Sequence, residues 1–244
     1  MLTRWIGKIE RSVFHWAAAS LRILSPRAQL EIARLYRRFR QSIWNRIQYH
    51  WGYDEYVAVQ ISSSAYSRQH PSARSGVEKS IRKLMDGLEP GSVILDAGCG
   101  DGYGLELLQD EGFPAIGFDL NIEKLTDARD HGSKLVFVGD LHHIALPPNS
   151  VDIIHCSHVL EHLLDTRHAL AELRRVLRTS GKSLFVLPLS PGNYKHPSPF
   201  LDESDIHRSI SPHFQIEHLV TGYGRGNPEA CVLARKQAQK IHSG

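Results

Sequence analysis

The sequence predicts an α/β fold, a doubly wound and mostly parallel sheet with helices on both faces. Two observations carry that prediction. From residue 93 onward, short apolar runs alternate with segments of helical period, the pattern of repeated βαβ units. The first of these runs ends in Asp96 and passes into a loop with glycine at every second position, Gly98, Gly100, Gly102 and Gly104. A strand feeding a glycine-rich turn and a helix start is a device for bringing backbone close to a nucleotide-type ligand.

Taken in order, the chain of 244 residues suits one large α/β domain with an appendage. Residues 1–50 read as a basic helical arm. Leu2, Trp5, Ile6, Ile9, Val13 and Trp16 fall on one face of a first helix. Ser25-Pro26 then reads as an N-cap with proline at the first helical position, opening a second helix with Ile32, Leu35, Tyr36, Phe39, Ile43 and Ile47 on its apolar stripe. Ten Lys/Arg stand against two acids here, a net +8; the whole chain carries +3, which leaves −5 for the rest. A basic arm on an acidic body points to a polyanionic partner. Tryptophan-bearing apolar faces backed by arginine suit an anionic membrane surface. They equally suit packing on the main domain, on a protein partner or on a second copy of the chain. Nucleic acid is the least favoured partner.

Residues 51–76 are irregular and read as a linker and flap, and residues 77–240 as the main domain. A helix is expected over 77–88, ended by Glu89-Pro90-Gly91. Strands are expected at 93–96, 115–119, 135–138, 151–156 and 183–187, with helices at 103–111, 122–131 and 167–177 between them. The fourth strand is an apolar run broken only by Asp152 and His155. A further helix is expected at 202–209, started by Asp202 or Ser204. Two last strands, 214–219 and 230–234, are joined by the glycine-rich stretch 222–226, giving seven strands in all.

No apolar run is long enough for a transmembrane helix. The patch 13–19 is short, contains His15 and lacks a convincing cleavage site, so export is not expected. Three cysteines, Cys99, Cys156 and Cys231, show neither a disulfide framework nor zinc spacing. A cytoplasmic protein, peripheral at the membrane through its arm and holding no metal, is the expectation.

Four stations carry chemistry. The first is the loop from Asp96 to Gly104. The second is Asp119, closing the second strand, where an acid can accept both hydroxyls of a ribose. The third is Gly139-Asp140-Leu141. The fourth is Leu146-Pro147-Pro148-Asn149-Ser150-Val151-Asp152, followed by Ser157-His158-Val159-Leu160-Glu161-His162-Leu163. Together these resemble the class I S-adenosylmethionine-dependent methyltransferases, of the type found in small-molecule and lipid-modifying enzymes. The resemblance covers about residues 77–190. It departs from the family at Thr179-Ser180-Gly181, where members more often show Pro-Gly-Gly at a turn.

The resemblance implies a Rossmann-like methyltransferase fold with an antiparallel last hairpin, and S-adenosyl-L-methionine as cofactor. It implies cofactor contacts at Asp96, Ala97, Gly98 and Gly100 for the methionine part, at Asp119 and Leu120 for the ribose side, at Asp140 and Leu141 for the adenine, and at Ser157. It also implies that the stretch before the glycine loop closes over the cofactor, with Tyr66 and Arg68 as candidates.

Methyl transfer from a sulfonium is an in-line displacement, so much of the rate comes from positioning. A hydroxyl nucleophile calls for a base, and His158, His162 and His196 are the candidates. The expected reaction is O- or C-methylation of a small, lipid-like or saccharide acceptor. The rival reading is a non-catalytic methyltransferase-like scaffold that binds a partner subunit. A nicotinamide-dependent oxidoreductase is disfavoured by the glycine phase, and nucleoside triphosphate hydrolysis by the lack of a Gly-Lys-Ser/Thr phosphate loop. No Asn/Asp-Pro-Pro-aromatic tetrad or Pro-Cys follows the fourth strand, which disfavours methylation of nucleic-acid bases.

Overall fold

A computed structural model describes residues 58, 60, 68, 69, 71–86, 88–189, 198, 200–224 and 227–236. The arm at 1–50, Tyr66 and His196 lie outside the described residues.

The element order is α1 (Pro71–Met85), β1 (Ile94–Ala97), α2 (Tyr103–Asp110), β2 (Ala115–Asp119), α3 (Ile122–Asp130), β3 (Val136–Val138) and β4 (Val151–Ser157). A 3₁₀ turn at Leu160–His162 follows, then α4 (Thr166–Val176), β5 (Leu177–Pro188), α5 (Glu203–Ile210), β6 (Phe214–Gly224) and β7 (Asn227–Lys236). The seven strands form one sheet in the order β3-β2-β1-β4-β5-β7-β6. β1 to β5 pair in parallel, whereas β7 runs antiparallel to both β5 and β6. The doubly wound sheet and the antiparallel last hairpin are as expected. The strand order reverses between β1 and β4, and the carboxyl ends of those strands mark the crevice where open α/β sheets take their ligands.

Strand alternation builds a core on each face. Leu95 and Ala97 of β1 and Ile154 and Cys156 of β4 point into a core completed by Leu170 and Leu173 of α4 and Ile206 and Ile210 of α5. Ile94 of β1 and Ile153 of β4 point the other way, onto Val77, Ile81 and Leu84 of α1 and Leu105 and Leu108 of α2. Asp96 and His155 share the parity of Ile94 and Ile153, so they fall on the α1 face.

Several boundaries differ from the sequence reading. α1 begins at Pro71, six residues early, because proline is well suited to a first helical turn. The turn expected at 179–181 lies within β5. A register shift between Val151 and Ile153 absorbs the extra residues. There a Cβ on Gly181 would sit 2.7 Å from the Asp152 carbonyl oxygen, which only glycine avoids. β6 and β7 run past their apolar centres because hairpin pairing continues to the turn. Asp202, one of two expected starts, caps α5 by accepting from the Asp205 N–H.

Candidate functional site

The glycine loop joins the end of β1 to α2, and its shape is fixed by backbone bonds to β2. The N–H groups of Gly98 and Cys99 both donate to the Phe118 carbonyl at 2.9 Å. The Gly100 N–H donates to Asp119 Oδ2 at 3.0 Å. Gly98, Gly100 and Gly102 all have positive φ, of 79°, 57° and 72°. Their surroundings differ. A Cβ at Gly98 would meet Val159 Cγ2 at 2.5 Å, and one at Gly102 would meet Ala128 Cβ at 2.6 Å. At Gly100 a Cβ would meet nothing within 4 Å. The loop is thus closely packed at two glycines and open at the third.

Three carboxylates stand at or just past the carboxyl ends of β1, β2 and β3. Asp119 closes β2, accepting from Gly100 N on one oxygen and from Asn121 N at 2.8 Å on the other. Burial pushes its pKa up, against those backbone N–H groups and the charge of Lys124, which pull it down. A carboxylate offers about four lone-pair positions, so Asp119 retains accepting capacity for further donors. Asp140, 8% exposed, follows β3 and accepts from the His142 N–H at 2.9 Å, with His142 Nδ1 at 2.8 Å. Asp96 is buried beneath the loop. Its Oδ1 lies 2.8 Å from His155 Nδ1, and a Cβ on Gly104 would come within 3.1 Å of its Oδ2. Leu141 sends its side chain into the core, so only its backbone is available to a ligand. Leu120 and Ser157 are half-buried, Leu120 just after Asp119 and Ser157 at the end of β4.

His158 stands at the mouth of β4 in a left-handed conformation, φ 57°, with its N–H donating to the Val186 carbonyl at 2.8 Å. A non-glycine residue there signals local strain of the kind that collects at functional sites. Its Nδ1 lies 3.7 Å from Glu161 Oε1 and its Nε2 lies 3.3 Å from Glu229 Oε2. His162 Nε2 approaches the same Glu161 Oε1 at 3.9 Å. Glu161 is almost wholly buried, at 1% exposure. β4, the 3₁₀ turn and β7 thus bring two histidines and two acids together.

Arg68 lies against the far side of the glycine loop. Its N–H donates to Asp101 Oδ2 at 2.7 Å, its guanidinium pairs with Glu106, and it stacks on the Tyr103 ring at 5.6 Å. Tyr103 OH in turn donates to Glu78 of α1 at 2.6 Å.

Sequence reasoning assigned no role to Glu161, Glu229, Ser80 or His155. Glu161 lay within the quoted fourth station, and His155 was visible as a break in an apolar strand. Glu229 and Ser80 gave no signal, because only the tertiary fold brings them in. Among the described residues no cluster of His, Cys, Asp or Glu is arranged to hold a metal ion.

The donor set fits a nucleoside carrying an amino-acid tail. An acid at the end of β2 suits vicinal hydroxyls, and the acid after β3 stands where the resemblance expects an adenine contact. A family described as "Methyltransferase domain" matches residues 95–185. The malonyl-[acyl-carrier protein] O-methyltransferase of Serratia marcescens is 33% identical over 135 residues, 53% of this chain and 53% of that protein. The ubiquinone biosynthesis O-methyltransferase of Aliivibrio fischeri is 32% identical over 101 residues, 39% of this chain and 43% of that protein. The chain thus spans about half the length of these curated relatives. A crystal structure of an S-adenosylmethionine-dependent methyltransferase from Aquifex aeolicus shares the fold, with a TM-score of 0.57 at 22% identity, over 70% of this chain and 95% of that one. Residues 95–185 therefore match a methyltransferase domain, and the S-adenosylmethionine-dependent methyltransferases to which the chain is similar imply S-adenosylmethionine as the cofactor.

Proposed function

We propose that the chain transfers the methyl group of S-adenosylmethionine to an oxygen or carbon of a small, lipid-like or saccharide acceptor. The observation that carries this reading is the set of carboxylates Asp96, Asp119 and Asp140 at or just past the carboxyl ends of the adjacent strands β1, β2 and β3, with Asp119 bonded to the backbone of the glycine loop at Gly100. When bound, the cofactor supplies an electrophilic methyl group on a sulfonium sulfur. Asp119, beside Leu120, would hold the ribose hydroxyls, and Asp140 with the Leu141 N–H would hold the adenine. The backbone of Ala97, Gly98 and Gly100, with Ser157 at the end of β4, would hold the methionine part, above Asp96.

His158 is the residue best placed to take the proton of a hydroxyl nucleophile. It stands at the switch point of the sheet, and Glu161 and Glu229 on either side of the ring stabilise the imidazolium that forms. His162, on the same Glu161, lies one short turn further on, and His196 follows β5 in the sequence, outside the described residues. The O-methyltransferase names of the Serratia and Aliivibrio relatives support an oxygen acceptor. The basic arm at 1–50 supports an acceptor met at an anionic membrane surface in the cytoplasm.

The test is an untargeted comparison of metabolite and lipid extracts incubated with isotope-labelled methyl donor, with and without the full chain. Label entering a small or lipid-soluble product supports the reading. Label confined to RNA or protein overturns it. No transfer to any acceptor, together with a co-purifying subunit, would favour the non-catalytic scaffold instead.

A further inference from the structure

His155 lies in the middle of the sheet, 2% exposed, directly beside Asp96 in the β1–β4 register. Three side chains form a buried line across the α1 face: Ser80 of α1, His155 of β4 and Asp96 of β1. All three are at most 5% exposed. Ser80 and His155 are 75 residues apart in sequence. Nothing in cofactor recognition as described above requires a histidine here, and an aliphatic residue would suit the position better.

Ser80 Oγ lies 2.8 Å from the Val77 carbonyl oxygen and 3.1 Å from His155 Nε2. His155 Nδ1 lies 2.8 Å from Asp96 Oδ1. The ring is thus held at both nitrogens, by α1 on one side and by β1 on the other. From β5 the ring meets only Leu184 in register. Among the described residues, Asp96 is the one charged side chain hydrogen-bonded to the ring.

We propose that His155 is a positioning residue for the cofactor: hydrogen-bonded between Ser80 and Asp96, it holds the Asp96 carboxyl against the start of α2 and so fixes the glycine loop in its binding shape. Asp96 cannot swing upward without breaking a buried hydrogen bond, and Gly104 leaves just enough room for its second oxygen. One oxygen of Asp96 is taken up by His155, so the ammonium of the cofactor's amino-acid tail is met chiefly by loop carbonyls. The inference rests on the reading of the loop as the cofactor site. It goes further in giving the methionine end, and not the adenosine end, a dedicated support.

The experiment uses the full chain and two ligands, S-adenosylhomocysteine and 5′-methylthioadenosine, which lacks the amino-acid tail. His155→Leu should keep a cooperative melt, bind S-adenosylhomocysteine at least about ten-fold more weakly, and bind methylthioadenosine within about two-fold of the wild type. Ser80→Ala, which removes the partner of Nε2, should shift affinity the same way by less. Equal losses for the two ligands, or unchanged affinity in Ser80→Ala, overturn the inference. If the wild type binds neither ligand, the cofactor reading itself fails; if it binds both and only the variants behave as wild type, that reading stands and this inference alone fails.

Discussion

Gly98 and Gly100 lie two residues apart in the same loop, yet they answer to different constraints. Gly98 is hemmed in by Val159, so any side chain there must displace the residue that follows His158. Gly98→Val should abolish S-adenosylhomocysteine binding in titration calorimetry. Gly100 has open space, so Gly100→Ala should cost only the left-handed backbone penalty of about 1–2 kcal/mol in a denaturant melt, while obstructing the ligand. Asp119→Ala should weaken S-adenosylhomocysteine by about ten- to a hundred-fold, the usual cost of losing hydrogen bonds to a charged group. At this scale the sequence was informative where chemistry and chain order coincide. Asp119 and Asp140 could be picked out because each ends or follows a strand in a known sequence of stations. His155 could be seen but not interpreted, since Ser80, its partner on α1, lies far away in the chain. Asp152, the other polar break in the same strand, is structural: it accepts from the Val93 N–H and from Arg178 at 2.6 Å.

At the level of elements, the loops that form the site are held by helix ends. Asn121 caps α3, accepting from the N–H groups of Glu123 and Lys124 at 2.9 and 3.2 Å, while its own N–H donates to Asp119. Asn121→Ala should cost about 1 kcal/mol of stability. The segment after Asp140 is tied to α4. Glu172 accepts from the Ile144 N–H at 3.1 Å, and Arg175 donates to the Ile144 and Leu146 carbonyls, both at 2.8 Å. The Arg175 hydrogen bond keeps the Glu172 carboxyl below the usual carboxylate range, though burial opposes it. A lowered carboxyl stabilises the fold above its unfolded pKa, and that contribution is lost as pH falls through the lowered value. Glu172→Gln should therefore melt earlier than the wild type at pH 7, and the difference should close on acidification below about pH 4. These ties escaped sequence reading because they join a loop to the following helix through long side chains. Such contacts leave no periodic trace, whereas the βαβ alternation left one at nearly every strand.

At the scale of the whole molecule, a net charge of +8 over residues 1–50 stands against −5 over the rest. No helix among the described residues is long and apolar enough to cross a membrane. The arm at 1–50 lies outside those residues, and the membrane role proposed for it rests on its charge and periodicity. Removing residues 1–50 should abolish salt-sensitive binding to vesicles containing anionic lipid, while S-adenosylhomocysteine affinity stays within about two-fold, the two functions being carried by separate parts. The domain itself was legible because its glycine loop, acids and strand spacing all serve one ligand. The acceptor was not, because the resemblance that identifies the cofactor stations thins out over residues 51–76 and 189–213, and no motif in those stretches points to a substrate. The central claim is that the loop from Asp96 to Gly104, with Asp119, binds S-adenosylmethionine. Its most direct test is calorimetric titration of the full chain and of folded Gly98→Val with S-adenosylhomocysteine. One saturable site in the wild type and none in the variant is the predicted result. No binding by the wild type, or equal binding by both, would contradict it.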